Sequence, residues 1–251
     1  MSDTNSESSF SNYGIYTIKD NIEFLLPNVT IKIEKIGDHV FSYLRRDAED
    51  NIVKKIIPTS SSELTIELSP IRPLNYPARR AVHVYLDLET PIFLSEGSAA
   101  SVFVLCPIEI GIFLVHEGHK DSLDWIDCEP LNSRFCLYGS PESGTLCKHA
   151  SSEIVESYDD SIPFINGVLK IDIKNDLDKG LTISKIVFPI TDNSVYYKNS
   201  KAIFDSLKAV LKKKLTLEIL DVNSESIETD WVKSPTYERV ESIKRVDMGV
   251  D

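Results

Sequence analysis

The segment Leu64-Thr65-Ile66-Glu67-Leu68 alternates strictly between apolar and polar side chains. A period of two places successive side chains on opposite faces of an extended chain, so it reads as a strand with one buried and one wet face. The same period runs outward in both directions. Upstream, residues 15–18, 22–26 and 30–35 are short strands parted by the turn signals Lys19-Asp20-Asn21 and Pro27-Asn28. Residues 39–45 and 51–58 form a hairpin across Asp47-Ala48-Glu49-Asp50. Downstream, residues 69–77 carry several prolines, which lack the donor a central ladder needs, and read as a long loop or edge. Strands resume at 80–88, 92–94, 100–106, 109–116, 134–138, 144–150, 167–173, 181–189 and 195–197.

The period then changes. Asn199-Ser200 offers a helix cap, and Ile203, Phe204, Leu207, Val210 and Leu211 recur at spacings of three and four. This pattern predicts an amphipathic helix over 200–214, with Lys201, Asp205, Lys208 and Lys212 outside, before Leu215, Leu217 and Ile219 restart a strand. The fold class is therefore mainly β: two tandem β-sandwich or jelly-roll units with one amphipathic helix near the C-terminus. A disordered tail spans 1–12, the first unit 13–128, the second β domain 129–222 with the helix 200–214, and a flexible or extended tail 223–251. The acid-rich stretch 117–160 hosts the boundary. Both units open on a Tyr-Gly pair, Tyr13-Gly14 and Tyr138-Gly139, as distant duplicates would.

With 251 residues, 42% of them hydrophobic, the chain buries a real core without metals or disulfides. Its 39 acids against 27 bases give a net charge of -12, which repels phosphate backbones and argues against nucleic-acid and anionic-membrane partners. The most apolar stretch, 102–115, is interrupted by Pro107 and Glu109 and is too short to cross a bilayer. The first residues lack the cationic opening and apolar block of a secretory signal. Four cysteines are too sparse for a disulfide framework, so reduced thiols in a cytoplasm are expected.

Two groups of side chains suggest metal chemistry, with zinc or iron as the ion. In His116-Glu117-Gly118-His119, imidazoles flank a carboxylate, although positions three apart on one strand face opposite ways. Cys147 and His149 are two apart, so a strand puts them on one side, where they could grip one ion. No Cys-x-x-Cys knuckle supports them, and buried inert thiols are the competing reading for Cys106, Cys136 and Cys147. Gly139 to Gly144 has the glycines of a phosphate loop, but Thr145 stands where the lysine is needed. Dinucleotide-type and acyl-serine motifs are absent, no catalytic residue emerges and no cofactor is predicted. Arg45-Arg46 and Arg79-Arg80 read as solvated faces, and Tyr196, Tyr197 and Trp231 as core or partner anchors.

Tyr13-Gly14-x-Tyr16, Pro107-Ile108-Glu109-Ile110-Gly111, Leu137-Tyr138-Gly139 and Ile186-Val187-Phe188-Pro189 together resemble an uncharacterised archaeal family, domain of unknown function 432, over residues 13 to about 222. The resemblance implies an archaeal cytoplasmic protein with a double-stranded β-helix type of sandwich, and it carries no catalytic residue. Cupins share that fold, but their His-x-His motif and later histidine are missing here. The reading is a non-catalytic ligand- or protein-binding, regulatory module whose partner is an unknown small ligand or protein. Two alternatives stay open: a metal-dependent cupin-like enzyme using Cys and His ligands, and a structural subunit of a larger assembly, including a homo-oligomer.

Overall fold

A computed structural model describes residues 11–73, 81–129, 134–191, 193–214 and 217–237. Residues 1–10, 74–77 and 238–251, within the expected tails and loop, lie outside the described residues. In chain order the strands are β1 (Gly14–Ile18), β2 (Asn21–Leu26), β3 (Val29–Gly37), β4 (Val40–Asp47), β5 (Ile52–Pro58), β6 (Leu64–Ile71), β7 (His83–Leu94), β8 (Ala99–Pro107), β9 (Glu109–His116) and β10 (His119–Ile126). They continue as β11 (Arg134–Tyr138), β12 (Thr145–Ser152), β13 (Ile154–Val155), β14 (Asn166–Asn175), β15 (Leu181–Pro189), β16 (Val195–Lys198), β17 (Lys201–Phe204), β18 (Ser206–Lys214), β19 (Leu217–Glu225) and β20 (Val232–Lys233).

Among the described residues the strands form four sheets: β1-β6-β9-β10, the meander β2-β3-β4-β5, β11-β12-β7-β15, and a larger one running β13-β8-β14-β17-β16-β20, with β18 joining β14 to β19. Period two explains the inner faces directly. In β3, Val29, Ile31 and Ile33 are buried while Thr30, Lys32 and Glu34 are not. The meander lies against the first sheet, where Tyr16 meets Phe24 edge-on at 4.9 Å and Tyr43 hydrogen-bonds Asp124. Tyr13 stands between Phe164 at 4.6 Å and Tyr197 at 5.7 Å, and the Tyr197 hydroxyl donates to Glu67 Oε1 at 3.1 Å. These contacts join the first sheet to the second half, so one apolar core runs from Tyr13 to Leu211.

The expected division near residue 128 is crossed by these pairings. β7 and β8 precede it, yet β7 pairs with β12 and β15, and β8 with β14, before the chain returns to the first sheet as β9 and β10. Three further expectations need correction. No helix forms over 200–214. Instead β17 and β18 both pair alongside β14, and Leu207, Ala209 and Leu211 are buried on one face. Asp205 interrupts the two strands, and its buried carboxylate accepts from Ser194 N, Tyr196 Oη and Ile227 N. The interruption shifts the alternation by one residue, so Phe204, Leu207 and Leu211 fall at spacings of three and four and imitate a helical period.

Of the two readings of 69–77, loop or edge, the described residues up to Ile71 take the edge: the strand at Leu64 continues through Ser69-Pro70-Ile71. Proline is tolerated there because β1 ends at Gly14 opposite Leu68, leaving Pro70 flanked by β9 alone. Glu67, read as solvent-facing, is fully buried and ion-paired with Lys120 at 2.5 Å. Part of the expected tail is also sheet: β19 reaches Glu225, and β20 pairs with β16.

Candidate binding site

The hairpin joining β9 to β10 turns on Glu117 and Gly118, both at positive φ (49° and 81°), the backbone of a tight two-residue turn. That turn makes His116 and His119 direct cross-strand partners, with rings 6.3 Å apart. The spacing argument for opposite faces applies within one strand and fails across a hairpin, so the two imidazoles share a side. His116 Nε2 lies 3.6 Å from Asp121, and both residues are exposed.

Cys147 and His149 project from β12 on the face away from the core-directed Lys148. Cys147 lies between Cys136 of β11 and His83 of β7 in register. Its thiol donates to the Thr145 carbonyl at 3.4 Å, and burial pushes its pKa up to about 11. Burial likewise pushes the Cys128 thiol up to about 12, and the Cys106 thiol higher still. His149 stacks on Tyr85 at 5.2 Å and lies 3.6 Å from Asp87. The two candidates thus face one way but keep separate company. Among the described residues no group of three or more His, Cys, Asp or Glu side chains is placed to hold a metal ion.

Lys148 occupies the opposite phase of the same strand and is only 4% exposed. Its ammonium reaches Glu109 Oε1 at 3.2 Å and Asp127 Oδ2 at 3.3 Å, and Glu109 is itself 1% exposed. Two members of this cluster, Lys148 and Asp127, line a cleft of about 390 Å³, with Glu109 behind them. β11 starts at Arg134, opposite His149, and both residues line the cleft. Arg134, His149, Asp127, Glu129, Asn166 and Phe164 line it, so both charge signs and an aromatic wall converge on one hollow.

A second cleft of about 590 Å³ shares Asp127, Cys128 and Glu129 with the first, making that segment a ridge between two hollows. Its side toward the meander is set by Asp124, 6% exposed. The Tyr43 hydroxyl donates to Asp124 Oδ2 at 2.7 Å, and Arg45 and Lys55 lie at 3.3 and 3.5 Å. Burial and the adjacent Asp124 carboxylate hold the Tyr43 phenol well above its usual range. Buried charges of this kind are costly unless paired and hydrogen-bonded, and all of these are.

Glu109, Lys148 and Asp124 were not singled out from the sequence. Lys148 and Glu109 each carried one usable signal, a charge inside a segment read as a strand, whereas Asp124 lay in the acid-rich stretch read as a boundary. Glu109 sits in the most apolar stretch of the chain, and Lys148 stands between two residues read as a pair. The model of a family described as "Protein of unknown function (DUF432)" matches residues 12–246. No curated protein and no solved structure matches the chain.

Proposed function

We propose that this chain, which belongs to the family described as Protein of unknown function (DUF432), is a non-catalytic binding module that takes a small zwitterion in the cleft beside Lys148. The observation that carries the proposal is the buried Lys148–Glu109–Asp127 cluster beside that cleft. A buried ion pair adds little net stability over an apolar replacement, whereas it fixes the geometry of what lies against it. The volume suits a compact ligand of amino-acid size. Arg134 offers a fork for a carboxylate, the acidic ridge Asp127–Glu129 attracts an ammonium, and Phe164 offers an apolar wall.

The same chemistry disfavours turnover. Thiols raised by burial are poor nucleophiles, and the Lys148 ammonium is already engaged by two carboxylates, which makes it an anchor. The test is a thermal-shift screen with the free amino acids. A ligand at a hundred times its Kd stabilises by about 2.7 kcal/mol. At least one amino acid raises Tm by several degrees, and Arg134→Gln removes that shift while leaving the unliganded Tm unchanged. A screen in which none shifts Tm, or an equal shift in Arg134→Gln, refutes the assignment.

A further inference from the structure

The stretch from Gly139 to Gly144, which lacks the lysine of a phosphate loop, has a structural use: it closes the hairpin of β11 on β12. Gly144 N donates to the Ser140 carbonyl at 2.6 Å, and a Cβ on Gly144 would come within 2.6 Å of that same oxygen. The turn is therefore tight and needs its glycine. It sets Tyr138 opposite Thr145, and with them Cys136 opposite Cys147.

Direct partners in an antiparallel pair point to the same face, with Cα atoms about 4.5–5.5 Å apart. A disulfide spans about 4.4–6.8 Å between Cα atoms, so this pair can close without movement of the backbone. The two side chains already meet, because the Cys147 thiol hydrogen-bonds the Cys136 sulfur. Cys106 faces Gly167 in its ladder and Cys128 lies beyond the end of β10, so neither has a cysteine across from it among the described residues. The paired thiols are unequal: Cys147 is buried and Cys136 half-buried. Burial raises the Cys136 thiol, while the hydrogen bond from Cys147 favours its ionised form, which makes Cys136 the sulfur that meets a reagent first.

We infer that Cys136 and Cys147 are a reversible modification site, a dithiol oxidised to a cross-strand disulfide by low-molecular-weight disulfides such as glutathione disulfide. The Cys136 thiolate attacks one sulfur of the reagent, whose S–S bond breaks and releases one glutathione thiolate. Cys147 then loses its proton and attacks the Cys136 sulfur of the mixed disulfide, expelling the second glutathione. Two protein thiols give up two electrons and two protons, and one glutathione disulfide becomes two glutathione thiols. The new bond staples β11, the outermost strand of its sheet, to β12.

Treating the intact native chain with glutathione disulfide at pH 8, then alkylating and mapping peptides without reduction, tests this. The product is a cross-link of Cys136 to Cys147, two hydrogens lighter than the reduced chain, reversed by excess dithiothreitol and melting several degrees above the reduced form. Cys147→Ser stops the reaction halfway and leaves one glutathione on Cys136. In urea the reagent also joins Cys128 to Cys136, a pair closer in sequence, whereas the native chain does not make that link. Native cross-links through Cys106 or Cys128, glutathione retained on Cys136 of the wild type without closure, no reaction at Cys136, or an oxidised form that melts no higher overturns the assignment.

Discussion

Replacing Lys148 by Met leaves the hydrocarbon of the side chain in place and deletes only its charge. Glu109, 1% exposed and 3.2 Å from the lysine, then keeps a buried carboxylate whose ammonium partner is gone. Asp127 lies nearer the surface and loses less, since water reaches it. Removing one partner of such a pair costs about 3–5 kcal/mol. With a urea m-value of about 2 kcal/mol/M, the unfolding midpoint falls by roughly 1.5–2.5 M at unchanged slope. The double variant Lys148→Met, Glu109→Leu removes the stranded charge as well and returns most of that loss, because apolar replacements of buried pairs are often neutral or stabilising. Urea unfolding followed by tryptophan fluorescence on wild type, both single variants and the double variant gives the coupling energy directly. A single variant costing under about 1 kcal/mol, or a double variant as unstable as the sum of the singles, refutes a buried and coupled pair.

Tyr43→Phe deletes the 2.7 Å donor to Asp124 but leaves Arg45 and Lys55 in place, so it costs about 1–2 kcal/mol in urea unfolding, and a neutral result contradicts the buried bond. A Cβ built on Gly111 comes within 2.5 Å of the Phe113 ring and 2.9 Å of the Ile71 side chain, so Gly111→Ala costs about 1–3 kcal/mol, measured the same way. The thiols of Cys147 and Cys128 sit at about 11 and about 12 against an ordinary 9.0, so folding favours their neutral forms. That contribution is intact below pH about 9 and is lost as pH rises through about 11 and then about 12. Thermal melts must therefore fall on the alkaline side, and a Cys147→Ala, Cys128→Ala variant must show a shallower fall. Iodoacetamide at pH 8 must label the half-buried Cys136 before Cys106, Cys128 or Cys147, as peptide mass mapping shows.

The strands were legible because alternation is local. β2 to β5 follow from residues 21–58 and their turns alone, as an antiparallel meander with short connections. Sheet membership was not legible, since the parallel pairing of β12 with β7 joins segments some 60 residues apart, and nothing at Val84 announces Lys148 as its neighbour. Segment 200–214 misled for a definable reason, the break at Asp205 that put two strands out of step. β10 was hidden by Asp121 and Asp124, which read as a charged linker although Asp124 turns inward to Tyr43. The motif residues of the resemblance do acquire physical roles. Tyr13 joins the first sheet to Phe164 and Tyr197, Glu109 partners Lys148, and Gly111 admits the Phe113 ring.

Burial also explains why the candidate sites differ from those the sequence suggested. Histidine and cysteine attract attention as ligand types, yet His116 and His119 flank an exposed turn and Cys147 is packed beside Cys136. The informative residues are common ones in uncommon places: a lysine, a glutamate and an aspartate almost out of contact with water.

Saturation-transfer NMR on an amino-acid mixture, recorded at once and again after prolonged incubation, addresses the assignment of the Lys148 cleft as a holding site. The account predicts transfer to at least one amino acid, no transfer in Arg134→Gln, and an unchanged ligand spectrum at the end. Absence of transfer to every component, or the growth of product resonances with time, would contradict it.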